Sequence, residues 1–101
     1  MVIREWRGRT SRARSAEYPK HFQGSVVPDL RKLHGFLGAF LNERLQGDQV
    51  EFLVLTRWAS MEAIHAFAGS DPEKAVVEPA AIAALTDYDQ TVRHYEVLES
   101  V

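Results

Sequence analysis

The chain has no cysteine, and that absence removes a disulfide framework, a thiolate nucleophile and any thiolate metal site together. A reducing, cytoplasmic setting is the expectation that follows. No apolar run approaches the roughly 20 residues needed to cross a bilayer, so no membrane is expected as a partner. Charges stand within the first few positions with no apolar stretch behind them, unlike a secretion signal. Basic excess is missing too: 12 Lys and Arg against 14 Asp and Glu leave a formal charge of -2, and a nucleic-acid footprint needs a clear surplus of positive charge. Gly8, Gly35, Gly38 and Gly47 are scattered rather than gathered into a phosphate-cradling loop, which sets aside flavin or nicotinamide held by a Rossmann unit. No Ser-His-acid arrangement is legible. The four histidines, His21, His34, His65 and His94, sit on four separate elements without the close spacing of a metal pair, and no metal is expected.

What is present suits one globular domain. At 101 residues the whole chain, 1–101, makes a single unit with no room for a second. Such a chain buries roughly two-thirds of its unfolded surface, enough for a modest core that a partner copy would enlarge.

The best organised stretch runs from Glu51 to Gly69. Phe52 to Trp58 is apolar, β-branched and aromatic, the composition of a strand with at least one buried face. Ser60 then suits a helix N-cap and Glu62 the positive end of the same helix. Met61, Ile64 and Ala68, with Phe67 alongside Ala63, put one apolar face on that helix, and Gly69 supplies the residue that stops it.

Around this unit the rest falls into order. Residues 2 to 9 alternate as a strand, with Val2, Arg4 and Trp6 on one side and Ile3, Glu5 and Arg7 on the other. Arg4, Arg7, Arg9, Arg12 and Arg14 crowd this end. They read either as solvated charge on an edge strand, where Arg discourages stray pairing, or as an anion-attracting rim. Residues 11 to 33 carry a helical stripe, Phe22, Val26, Leu30 and Leu33, but Pro19, Gly24 and Pro28 predict a helix kinked or split near Gly24 to Pro28. His34-Gly35 is a turn. Phe36 to Leu45 is a second strand, joined at Gly47-Asp48 to the third as an antiparallel hairpin. After Gly69, a cap at Ser70-Asp71-Pro72 predicts a helical turn over Lys74 to Val77, Pro79 restarts a helix ahead of Ala80 to Leu85, and Thr91 to Leu98 closes the chain as a strand.

The order is strand, helix, strand, strand, helix, strand: an α+β, ferredoxin-like βαββαβ plan with a four-stranded antiparallel sheet. Strands two, three and four have hydrophobics on both sides, so the sheet face away from the helices needs a cover.

An aromatic-rich strand ending in Arg57-Trp58, followed by Ser60-Met61-Glu62-Ala63-Ile64-His65-Ala66-Phe67-Ala68-Gly69, resembles the antibiotic biosynthesis monooxygenase domains. The likeness spans nearly the whole chain, from Arg4-Glu5-Trp6-Arg7-Gly8-Arg9-Thr10 to Val92-Arg93-His94-Tyr95-Glu96-Val97. It implies a homodimeric α+β barrel in which a second copy of the sheet covers the open face. It also implies a monooxygenase without a bound cofactor, in which an electron-rich phenol or quinol itself supplies electrons to oxygen. The heme-degrading branch of the same superfamily looks for an Asn on the first strand, a Trp late in the strand-three helix and an axial His further on. This chain has Trp6, Phe67 and Val77 in those places, which speaks against that mechanism and leaves heme held by some other histidine as an alternative.

On the residues themselves, Trp6 and Trp58 fall on the helix-facing side of their strands and, with Tyr18, Phe22 and Phe67, can line an apolar cavity for a flat aromatic molecule. Gly8, Gly38 and the broken first helix argue for open space there, and the competing reading is that the same rings fill a solid core. In the light of the resemblance, Trp6 and Trp58 hold the ring, Arg4 or Arg57 stabilises an anion, and His94 or Tyr95 exchanges a proton. Arg57 and Trp58 cannot both point into one cavity from one strand, and of the two Trp58 is kept. The catalytic candidates are therefore His94, Trp58 and Trp6, and the substrate-binding candidates Arg4, Tyr18, Phe22 and Phe67. Two other functions fit the same fold: a non-catalytic dimeric module that binds a small apolar molecule, and a small isomerase, dehydratase or cyclase working through His94.

Overall fold

One central strand organises the sheet. In the computed structural model, which describes residues 1–101, β1 (Val2–Ser11) pairs antiparallel with β3 (Gln49–Trp58) along its whole length, from Val2 opposite Trp58 to Ser11 opposite Gln49. The other edge of β3 takes β2 (Phe36–Gln46) through a hairpin that turns at Gly47, φ 62°. The far edge of β1 carries two short strands end to end, β4 (Asp87–Tyr88) against Gly8 and Arg9, and β5 (Arg93–Glu96) against Val2 to Glu5. The resulting order, β2-β3-β1 with β4 and β5 sharing the last place, is the ferredoxin-like α+β arrangement with an antiparallel sheet.

Three local expectations are corrected. β1 is flanked on both sides, so its arginines do not lie on an edge. Arg7 pairs with Glu5, Arg9 reaches Asp87, Asp89 and Glu51, and Arg14 holds Glu17, so acids neutralise these three, while Arg4 and Arg12 have no acid partner. The segment Lys74 to Val77 is extended, because its neighbours across the sheet edge take its hydrogen bonds: Ala75 N–H donates to Gln90 O at 2.9 Å and Val92 N–H to Glu73 O at 2.8 Å. The closing strand is shorter than Thr91 to Leu98, and the unforeseen β4 extends the same edge.

The first helical region breaks where the sequence predicts. A single 3-10 turn (Arg12–Arg14) leads into α1 (Glu17–His21), a π-helical turn over Phe22 to Val26, and α2 (Val27–Arg31). Pro28 is the cause: it has no N–H for the carbonyl of Gly24, and its ring crowds that carbonyl, so the ladder widens and Val27 N–H reaches back to Phe22 O. α3 (Met61–Ala68) begins with Ser60 Oγ accepting the Ala63 N–H at 3.2 Å and ends at Gly69, φ 88°. α4 (Pro79–Ala84) begins on its proline.

The helices pack on the sheet face that carries Val2, Arg4, Trp6, Phe52, Val54, Thr56 and Trp58. One core cluster joins Tyr18, Phe22, Phe52 and Val54 to α4; the other joins Val2, Leu30, Trp58 and Ile64. Phe52, Trp58 and Ile64 are wholly buried, each burial stabilising the fold by about 2 kcal/mol. The opposite face carries Ile3, Phe40, Leu53, Leu55 and Tyr95, of which Phe40 and Tyr95 are about half exposed. No helix is long and apolar enough to cross a membrane.

Candidate active site

A cavity of about 340 Å³ lies between the sheet and the broken helix, and most of its wall is hydrophobic. β1 contributes Arg4 and Trp6, β3 contributes Val54 and Thr56, and α3 contributes Phe67. The roof is Tyr18, His21, Val26, Asp29, Leu30 and Leu33. The rim is Val76, Val77 and Glu78 from the extended segment that replaces the expected helical turn, with Ala81 from α4. The space does not come from the two glycines that suggested it. A side chain at Gly8 would meet Leu85 and Trp6, and the room at Gly38 is taken by the Arg57 guanidinium on the other side of the sheet. The broken helix does form the roof.

Arg4 is the buried charge of this wall, whose other charged groups, Asp29 and Glu78, are exposed. It is 5% exposed and has no carboxylate within salt-bridge distance. Its Nη1 donates to Pro72 O and lies 3.0 Å from His94 Nε2, while Nη2 donates to Lys74 O at 3.0 Å. Burial pulls its pKa down to about 10, which leaves it a cation at neutral pH. Its guanidinium stands 5.6 Å from the Phe67 ring centroid, a cation–π contact that is weaker than an ion pair. A buried cation without an acid is electrostatically incomplete.

The proposed aromatic residues divide. Trp6 donates its indole N–H to Asp89 O at 2.8 Å, which fixes the ring in the wall 5.9 Å from Tyr18. Burial, with Glu78 nearby, raises the Tyr18 pKa and keeps its hydroxyl protonated. Phe67 faces the cavity and stacks on Trp58 at 5.3 Å. Trp58 itself is wholly buried behind that wall, edge-on to Phe36 and donating to Thr56 Oγ1 at 2.8 Å, so it sets the positions of two lining residues without lining the space. Phe22 packs in the core beside Tyr18 and is likewise outside the lining.

His94 stands one hydrogen bond behind Arg4 and outside the cavity lining. Burial first and the Arg4 charge second hold its pKa below the usual histidine value, so its Nε2 is free to accept from Arg4. Tyr95 lies on the opposite sheet face, as does Arg57. The histidine that does reach the wall is His21, which the apolar stripe alone does not single out. Tyr18 and His21 reach the cavity from the same face of α1, three residues apart, and the five-residue step across the π turn carries the lining on to Val26.

Trp6, Phe67 and Val77, the residues that the resemblance sets against the Asn, Trp and axial His of the heme-degrading branch, all line this cavity. Val77 has no atom that can ligate iron, so these three residues do not fit heme held in that way.

The same frame recurs in solved structures. A protein from Bacillus cereus named as an antibiotic biosynthesis monooxygenase superposes with a TM-score of 0.70 at 20% identity, over 99% of this chain and 95% of that one. The heme-degrader MhuD of Mycobacterium tuberculosis, solved with two hemes in its active site, gives 0.66 at 24% identity, over 100% and 99%. SnoaB, a cofactor-independent oxygenase from Streptomyces nogalater, gives 0.64 at 12% identity, over 99% and 96%. These likenesses show the shared fold. No curated protein matches this sequence. A family model described as antibiotic biosynthesis monooxygenase matches residues 1–79, which hold β1, the helical roof, the β2–β3 hairpin and α3, and the chain belongs to that family.

Proposed function

We propose that the cavity binds a small aromatic molecule bearing an acidic hydroxyl, a phenol or quinol, and promotes its oxygenation to a quinone without a bound cofactor. The observation that carries this reading is Arg4, a buried cation in an apolar wall with no acid of its own. A phenolate supplies the missing negative charge, and the low dielectric around it makes that attraction worth more than it would be in water. The deprotonated ring is the electron donor. It reduces oxygen, the new C–O bond forms on the ring, and loss of one water gives the quinone, so that one phenol and one oxygen molecule yield one quinone and one water.

The residues then take these parts. Trp6, Tyr18 and Phe67 hold the ring and exclude water, and Arg4 holds the oxyanion. His94 is a positioning residue: it accepts from Arg4 Nη1 and fixes the guanidinium, while Trp58 and Phe22 support the wall from behind. A second copy of the chain covers the face bearing Phe40, Leu55 and Tyr95, which makes the functional unit a homodimer.

The test is oxygen uptake and 1,4-naphthoquinone formation with 1-naphthol as substrate, comparing wild type with Arg4→Met. Enzyme-dependent uptake that falls at least tenfold in the variant supports the reading. Binding without uptake sinks it in favour of a non-catalytic binding module, and turnover without uptake points to the isomerase or dehydratase class.

A further inference from the structure

We infer that the Tyr18 hydroxyl is the second polar anchor of the cavity and donates a hydrogen bond to an oxygen of the bound aromatic molecule at the end remote from Arg4. This rests on the cavity being the ligand site and adds where the ligand carries its second oxygen. Tyr18 lines the space and is only 4% exposed, yet its hydroxyl has no hydrogen-bond partner in the protein. The side-chain atoms that are both unpartnered and sealed from solvent are Thr10 Oγ1, His21 Nε2 and Arg57 Nε. The Tyr18 hydroxyl is not one of them, so the surface it keeps is turned to the cavity. Buried polar groups are ordinarily paired, and a ligand oxygen supplies the missing partner. The other polar groups of the wall are differently placed. Trp6 is engaged by Asp89 O and Thr56 by Trp58, while the Asp29 and Glu78 carboxylates belong to exposed residues that water can serve.

Strand register sets how far this anchor stands from the guanidinium. The Tyr18 ring packs 5.3 Å from Phe52 and 5.9 Å from Trp6. Phe52 pairs with Gly8 in the β1–β3 ladder, whereas Arg4 pairs with Thr56 and its guanidinium stands over Phe67. Gly8 and Arg4 are four residues apart on one strand, roughly 13 Å. Trp6 and Val54 lie between them as an apolar strip of the wall. Two hydroxyls on neighbouring ring carbons fall at one end of this span, and a flat molecule with oxygens at opposite ends bridges it. A cavity of about 340 Å³ has room for two fused rings. Tyr18 is suited to donate, because burial first and Glu78 second raise its pKa and keep the proton on the hydroxyl. Arg4 and Tyr18 together select an aromatic molecule with an acidic hydroxyl at one end and an acceptor oxygen at the other.

The experiment measures binding to wild type and Tyr18→Phe by isothermal titration calorimetry under argon, with circular dichroism to establish that the variant is folded. The probes are 2,6-dihydroxynaphthalene, with oxygens at opposite ends, its near-isostere 6-methyl-2-naphthol, and 2,3-dihydroxynaphthalene, with adjacent oxygens. Wild type is expected to hold the 2,6-diol about tenfold more tightly than 6-methyl-2-naphthol, the worth of one buried hydrogen bond. Tyr18→Phe keeps the ring packing. It is expected to reduce that preference to about twofold or less, the statistical gain of two equivalent ends, and to hold the 2,3-diol as wild type does. An unchanged preference for the 2,6-diol overturns the assignment and leaves the cavity reading intact. An equal loss for all three probes assigns the effect to the ring and likewise overturns the role of the hydroxyl alone. Failure of wild type to bind any of the three overturns both.

Discussion

Arg4 and His94, 90 positions apart in the chain, meet at 3.0 Å between Nη1 and Nε2, with the cavity on one side of the guanidinium and the imidazole on the other. They sit opposite each other in the β1–β5 ladder, so strand register alone brings them together. The histidine can accept this bond only while its Nε2 is unprotonated.

A pH dependence follows from the lowered His94 pKa. The unfolded chain takes up the proton at a higher pH than the folded one, so the contribution of neutral His94 is fully present above the ordinary histidine pKa. It is lost as pH falls from there through the lower folded-state value. Arg4 and His65 push in this direction, and Glu73 opposes them. Urea unfolding of wild type and His94→Gln between pH 5 and 8 is expected to give a stability difference that shrinks toward the acid end. A difference constant across that range would show that His94 does not titrate against Arg4.

Removing the guanidinium tests the floor of the site. Arg4→Met leaves the carbonyls of Pro72 and Lys74 without their donor while lifting the burial cost of the charge. The net destabilisation is expected to be about 1–3 kcal/mol by chemical denaturation. Faster hydrogen exchange over residues 72–78 is expected too, since Arg4 clasps that rim segment to the sheet. Unchanged exchange there would mean that the β5 edge alone holds it.

Two glycines should respond with opposite sign. Gly35 has φ 85°, and a side chain there would come within 2.6 Å of Ala63 Cβ on α3, so Gly35→Ala should cost about 2 kcal/mol or more. Gly24 lies in the helical roof with open space where a side chain would go, so Gly24→Ala should stabilise by about 0.4–1 kcal/mol through the unfolded chain. Thermal unfolding of both variants distinguishes them, and a destabilised Gly24→Ala would show that the π turn requires glycine.

The open sheet face predicts an oligomer that a charge should break. Phe40 and Leu55 are cross-strand partners on it, with Tyr95 at the β5 edge. Analytical ultracentrifugation is expected to find a dimer for wild type and a folded monomer for Phe40→Glu. A wild-type monomer at micromolar concentration would remove the second copy from the proposal.

Much of the frame is legible locally. Ser60 and Gly69 bound α3 as their chemistry demands, Gly35 and Gly47 take the turns, and Pro28 opens the helix, because each effect acts through the residue's own backbone or the turn beside it. The candidate site is legible only in part. Alternation puts Arg4 and Trp6 on the helix-facing side of β1, and that holds. It puts Trp58 there equally well, yet Phe67 and Thr56 stand between Trp58 and the cavity, and no periodicity reports depth along a shared face. His21 is hidden because the stripe of apolar residues names its neighbour Phe22, and periodicity does not say which of two adjacent residues borders open space.

Sequence alone determined the order of the elements from β1 to α3, the cap and stop of α3, the turns at Gly35 and Gly47 and the place where the first helix breaks, since these depend on side chains within a turn or two of one another. Only the tertiary structure decided that β1 is central, that Lys74 to Val77 is pulled straight against the segment before β5, and that Arg4 is buried among carbonyls and a histidine 68 to 90 residues away. Those outcomes depend on which distant backbone groups and apolar surfaces compete for the same partner, and that competition is settled only when the whole sheet has closed.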